Sequence, residues 1–219
     1  MRSISRSCSS LIRFAVYPDI GEYKKIVEQS EEAIRLKPDF PVPYAFLMFG
    51  DIALNRFEEA KGTYRKASEG KLYSPLFPLA LYQIAFVQND AAGTARQVEG
   101  SAGQPGLEGT LLANEADTAA YSGGLGQARE FSRQAMDSAE RAGEKETAAT
   151  YSAVAALREG LLGTAQEVRQ DATLALKRST WFDSEYGSAL ALAMRGRCAS
   201  TEPDGRFGQE VSGSYNRAV

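Results

Sequence analysis

Histidine is absent from all 219 residues. That removes the commonest general base near neutral pH, and with it the serine–histidine and cysteine–histidine nucleophile pairs. Cysteine occurs only as Cys8 and Cys198. Two distant thiols without histidine complete no usual structural zinc site and make no disulfide framework, so they read as free thiols in a reducing compartment. Long apolar runs are missing as well. The run at residues 44–49, equalled in length only by 189–194, falls far short of the ~18 residues of a membrane span. Neither sign of charge dominates: Lys and Arg (25) are interleaved with Asp and Glu (28), for a net charge of −3. No basic stripe exists to release counterions from nucleic acid, which excludes that partner class for this segment. Residues 1–16 carry Arg2 and Arg6 in the manner of a targeting peptide. Ser9, Ser10 and Arg13 interrupt its apolar centre, however, and no small-residue cleavage site follows. The expectation is a cytoplasmic protein with no membrane partner.

What is present is a folded composition, 43% hydrophobic and 24% charged, and a ruler laid along it. Ala33, Ala67, Ser101 and Ala135 are small residues spaced 34 apart. The same spacing links Tyr23, Phe57, Ala91 and Leu125, then Ile26, Ala60, Thr94 and Ala128, then Gly21, Asn55, Asn89 and Gly123. A fixed period of this length is the mark of a helical repeat.

The clearest unit begins at Pro41. Residues 41–54 put Tyr44, Leu47 and Asp51 on one helical face, and Asn55 tolerates the left-handed turn that follows. Residues 57–67 then align Phe57, Ala60, Tyr64 and Ala67, with Ala60 at the point where paired helices approach closely. Later units keep the geometry with weaker sequence. Helices are expected over 76–88 and 91–102, over 107–121 and from 125 through Ala135, and over 144–162 and 165–176. In the fifth pair Ala165, Val168, Ala172 and Ala175 repeat the small stripe. Ala175 stands 40 positions after Ala135, so the neighbouring helices should be longer. A last helix, 182–195, should stop at Gly196. No second helix is expected after it, so the pattern looks cut in mid-unit, as in a fragment of a longer chain or a disturbed reading frame near residue 197. Residues 1–20 are expected to be a partial or poorly ordered first helix, 21–196 the array, and 197–219 an irregular tail.

Tyr44, Leu47, Asn55, Phe57, Ala60, Tyr64 and Ala67 resemble the defining residues of the tetratricopeptide repeat family, as do Gly21, Tyr23, Ala33 and Pro38 in the preceding unit. Met48 departs from that pattern, which usually has Gly or Ala there, and the closing proline comes late, at Pro75. The resemblance implies an all-α, right-handed α-α superhelix of about five repeats. A second resemblance rests on phrases such as Leu54-Asn-Arg-Phe-Glu-Glu-Ala60-Lys, Asp117-Thr-Ala-Ala-Tyr-Ser-Gly123 and Ala155-Ala-Leu-Arg-Glu159. They are similar to the repeat regions that follow the kinase domain in soil-bacterial, acidobacterial-type serine/threonine protein kinases, and winged-helix domains in related regulators. That implies a signalling sensor or docking segment, and no kinase motif is present here.

Other chemistry is poorly supported. Gly123-Gly124-Leu125-Gly126 suggests a dinucleotide loop, but Arg129 stands where a small residue is needed and the preceding segment is helical. The pairs Glu31-Glu32 and Glu58-Glu59 are helix neighbours, which point about 100° apart and cannot share one acid–base site. No catalytic residue, cofactor or metal ligand emerges, and no small-molecule substrate is evident.

The family resemblance implies that the first helix of each pair lines an inner groove. The second unit then offers Val42, Ala45, Phe49, Ile52 and Ala53, the third Leu76, Leu79, Gln83, Phe86 and Val87, and the fourth Thr110, Ala113, Asp117, Ala120 and Tyr121. From these, Ala45, Phe49, Ile52, Leu79, Gln83, Phe86, Ala113, Asp117 and Tyr121 are the candidate partner-binding residues. The alternative is that neighbouring helices cover part of this set. None is Lys or Arg, which argues against clamping of a terminal carboxylate. The expected function is a non-enzymatic scaffold holding a protein or peptide. The alternative is the regulatory segment of a kinase or winged-helix regulator.

Overall fold

A computed structural model describes residues 21–199; the expectations for 1–20 and for 200–219 lie outside the described residues. The protein is all-α. Among the described residues there are ten helices and no strand: α1 Tyr23–Leu36, α2 Pro41–Ala53, α3 Phe57–Glu69, α4 Leu76–Val87, α5 Ala91–Ser101, α6 Leu107–Tyr121, α7 Leu125–Arg141, α8 Lys145–Leu162, α9 Ala165–Arg178 and α10 Phe182–Ala199. The chain divides into two compact units, Met1–Gly100 and Ser101–Val219.

In the first unit α1 packs on α2, α2 on α3 and α3 on α4, and α2 also touches α4. Consecutive packing of this kind is compatible with a helical repeat. Its turns carry the period. Asn55 and Asn89 adopt left-handed φ of +59° and +55°, as Gly21 does at +72° and, in the second unit, Gly123 at +84°. Behind three of these residues a carbonyl near the helix end accepts from the amide five residues on. Arg56 donates to Asp51, Asp90 to Ala85 and Gly124 to Ala119, at 2.7–2.8 Å. These bonds satisfy carbonyls that the helix end would leave orphaned. The same turn ends α3 at Lys71 and α7 at Gly143, where Leu72 donates to Ala67 and Glu144 to Ala139. It is thus a general helix-end geometry, of which the examples at Asn55, Asn89 and Gly123 fall on the 34-residue spacing.

Tyr44, Ala45, Met48, Ala60, Ala67, Phe77, Ala80 and Ile84 form the core of this unit. Tyr64 meets Phe77 edge to face, with centroids 5.8 Å apart. Ala60 and Ala67 are completely covered, as their spacing predicts. Two close approaches fall elsewhere than expected. At Gly50 a Cβ would lie 2.9 Å from Val27 Cγ2, so α1 and α2 meet through Gly50, while Met48, at the usual small position, is fully buried in the core cluster. In α5 Gly93 and Ser101 are buried, and a Cβ at Gly93 would come 2.8 Å from Ala85 Cβ. Thr94, the expected contact, is half-buried and donates its hydroxyl to the Ala91 carbonyl. Asp90 caps α5 by accepting from Gly93 N at 2.8 Å.

In the second unit each helix again packs on the next, and α6 touches α8 as α8 touches α10. Ala128 and Ala135 of α7 are fully covered, as are Val168, Ala172 and Ala175 of α9. The lengthening expected around the fifth pair is present: α7 has 17 residues and α8 has 18. The turn after α8 is of another kind. Gly163 has φ −106°, and Thr164 caps α9, its hydroxyl accepting from Glu167 N and donating to the Glu167 carboxylate. The expected stop of the last helix at Gly196 is corrected, since α10 runs on to Ala199. One glycine in a helix costs only about 1 kcal/mol relative to alanine, too little to end it.

Candidate functional site

In the first unit seven expected groove residues on α2 and α4 differ in exposure. Ala45 is fully enclosed in the core and offers no surface. Phe49 and Ile52 are half-buried against that core. Leu79 and Gln83 are half-buried, while Phe86 and Val87 are exposed at the end of α4. The members of this set with surface left to offer are Phe49, Ile52, Leu79, Gln83, Phe86 and Val87. In the second unit Ala113 is half-buried and Tyr121 is 83% exposed at the end of α6. Asp117 is exposed but engaged: Arg158 of α8 donates to its Oδ1 from Nε at 3.1 Å and from Nη2 at 2.6 Å.

The second unit also holds a cleft of about 320 Å³ between α7 and α9 with α8 beneath. Met136, Ala155 and Leu174 supply its apolar lining, and Arg129, Arg158, Glu159, Glu167 and Asp171 its charges. Arg129 of α7 reaches the buried Glu159 carboxylate of α8 through two bonds, at 2.9 and 3.0 Å, and Glu167 of α9 at 2.6 Å. Only 3% of the Glu159 side chain is exposed. A paired, bidentate geometry is what makes burial of that charge tolerable. Arg178 of α9 likewise reaches back to Glu140 of α7 and donates to Ser152 of α8 at 2.8 Å. Arginine straps therefore join α7 and α9 near both of their ends. Arg158 is itself buried, and its third bond goes to the Ser132 hydroxyl at 2.7 Å.

Burial, reinforced by the neighbouring Glu159 and Glu167 carboxylates, pushes Asp171 up to about 6, against the pull of Arg158 and Arg129. Glu167 is held below the ordinary carboxylate range, chiefly by the Thr164 hydroxyl. A raised carboxyl in a cleft is one signature of a general base. Here no nucleophile accompanies it: the Ser132 hydroxyl donates to the Ala128 carbonyl and accepts from Arg158. The ion pairs of the cluster tie α7, α8 and α9 together.

No family model, curated protein or solved structure matches the chain. Among the described residues no cluster of acidic or thiol side chains could hold a metal ion, and no helix is long and apolar enough to cross a membrane. Sequence reasoning missed the charged cleft. Its one available signal was the adjacent Arg158 and Glu159 inside the alanine-rich stretch of α8.

Proposed function

We propose that this protein is a tetratricopeptide-type scaffold of about five helix pairs, coiled as a right-handed superhelix, that binds a peptide or partner protein without catalysis. The observation that carries this reading is the left-handed turn recurring every 34 residues at Gly21, Asn55, Asn89 and Gly123. Contacts between α2 and α4, between α6 and α8 and between α8 and α10 support it, because they set the first helices of successive pairs side by side as a wall. On α2 and α4 that wall carries the apolar Phe49, Ile52, Phe86 and Val87 and the uncharged, polar Gln83, which suits an apolar helix face or an extended peptide. The phrases similar to bacterial kinase repeat regions favour a cytoplasmic signalling setting, with the array as the docking segment.

Selection from a displayed peptide library against the full chain tests this. Phe86→Glu combined with Val87→Glu changes exposed positions and should leave the helical circular-dichroism signal intact. It should weaken the selected peptides by at least about thirtyfold, the effect of losing an interface hot spot. Peptides that bind the variant as tightly as the parent would sink the groove assignment.

A further inference from the structure

The packed side of α10 is built from small residues, Ser184, Gly187, Ser188 and Ala191, which lie against the rest of the second unit. The opposite side is apolar and large. Phe182, Tyr186 and Leu190 follow one another at four-residue steps and are 75%, 60% and 38% exposed. Phe182 and Tyr186 stack with centroids 5.7 Å apart, and Trp181, 66% exposed, adjoins them. From Tyr186 onward the outward positions continue as Ala189, Leu190 and Ala193, with no charge among them. α9 differs: its exposed residues are Gln166, Arg169, Gln170, Thr173 and Lys177, all polar or charged. A helix that is apolar on both sides is a helix that is buried on both sides.

We infer that the outward face of α10 is a homodimer interface, on which a second copy of this chain packs through Phe182, Tyr186 and Leu190. Two arguments select a second copy over a different partner. A two-fold axis lays a face on itself, so any charge in its middle would meet its own kind, and this face carries none from Tyr186 to Ala193. The area also fits. Aromatic side chains bury roughly 150–250 Å² each. At the exposures above, Phe182, Tyr186 and Leu190 together with Trp181 offer about 500 Å² per copy when all four are covered, or about 1,000 Å² for two, the lower limit of a specific interface. The dimer is consequently weak and concentration-dependent, and it does not rest on the groove reading.

Sedimentation velocity of the full chain from about 1 to about 200 µM should show the mean mass rising from one chain toward two. Tyr186→Glu with Leu190→Glu should abolish the rise, and the milder Tyr186→Ser with Leu190→Ser should raise the dissociation constant at least about tenfold. Lys177→Glu, on the outer side of α9, should leave it unchanged. Helical circular dichroism confirms that each variant is folded. A chain that stays monomeric throughout overturns the inference and assigns the face to cover by residues 200–219 or by another protein. A dimer that persists in the Glu variant overturns it too, because association then uses another surface.

Discussion

Replacing Asp51 by asparagine should remove most of the pH dependence of stability in the first unit. Asp51 lies in the last turn of α2, the negative end of the helix dipole, with only 6% of its side chain exposed. Burial is the main cause that pushes its carboxyl from 3.8 up to about 6. Glu59 and Glu31 push the same way, and Arg56, 3.9 Å distant, opposes them. The folded chain thus holds this proton more tightly than the unfolded chain does. The stabilisation is complete below the unfolded value and is lost as pH rises through about 6. A gap of about two pKa units corresponds to about 3 kcal/mol between the protonated and ionised limits. Between about pH 7.5 and about pH 5 the linkage integral recovers about 1.4 kcal/mol of it, or roughly 6–10 °C in Tm for a unit of this size.

Asp51→Asn keeps the shape and cannot ionise. The variant should gain up to about 3 kcal/mol at neutral pH and approach the parent near about pH 4. Hydrogen exchange of α1–α3 amides at two pH values reads this locally. That matters because Asp171, also raised to about 6, gives the second unit a pH response of the same sign. At still lower pH the trend reverses, since Glu108 and Glu167, both held below their ordinary values, lose stabilisation as they protonate. If α1–α3 in Asp51→Asn follow the same pH slope as the parent, the carboxylate is solvated and the burial argument fails.

Asn55→Val forces a β-branched residue to φ +59° and should cost roughly 1–2 kcal/mol in urea unfolding, while Asn55→Gly should be neutral or better. Both variants losing equally would show that the left-handed turn is not what Asn55 supplies. At the Asp117–Arg158 pair the acid is 60% exposed and the arginine 9%, so the two deletions should differ. Asp117→Ala leaves a buried guanidinium with only its Ser132 bond and should cost about 2–3 kcal/mol. Arg158→Met leaves a solvated Asp117, a Ser132 hydroxyl that still donates to Ala128, and Asp171 with one cation fewer, and should cost about 1 kcal/mol. Denaturation midpoints in the opposite order would contradict the burial assigned to Arg158.

Asn55, Asn89 and Gly123 were readable as turns because few residues accept a left-handed backbone, and those that do advertise it. Ala60, Ala67, Ala128 and Ala135 were readable for a related reason: a fully covered site between two helices admits only a small side chain. The same logic misplaced α5, where Gly93 rather than Thr94 takes the close approach. A spacing rule fixes which turn of a helix faces its neighbour, but a one-residue slip, about 100°, depends on how the short helix seats against Ala85. Burial of Ala45 was equally hidden. Whether a first-helix residue faces a groove or the core is decided by the tilt of the following pair, which periodicity does not encode.

The charged cleft escaped notice for a deeper reason. Arg129 pairs with Glu159 and Glu167, 30 and 38 positions away, and Arg178 with Glu140, 38 positions back. None of these separations equals the period, because a strap joins different depths of neighbouring helices rather than equivalent positions. The fifth pair is also where the small-residue register slips from 34 to 40 and the turn at Gly163 abandons the left-handed form. Apolar stripes tolerate such sliding, since burial is proportional to area and indifferent to exact partners. Bidentate arginine bonds do not, because their energy falls steeply with misalignment. Where the repeat loses its period, the register between α7, α8 and α9 is held by directional contacts in place of recurring ones.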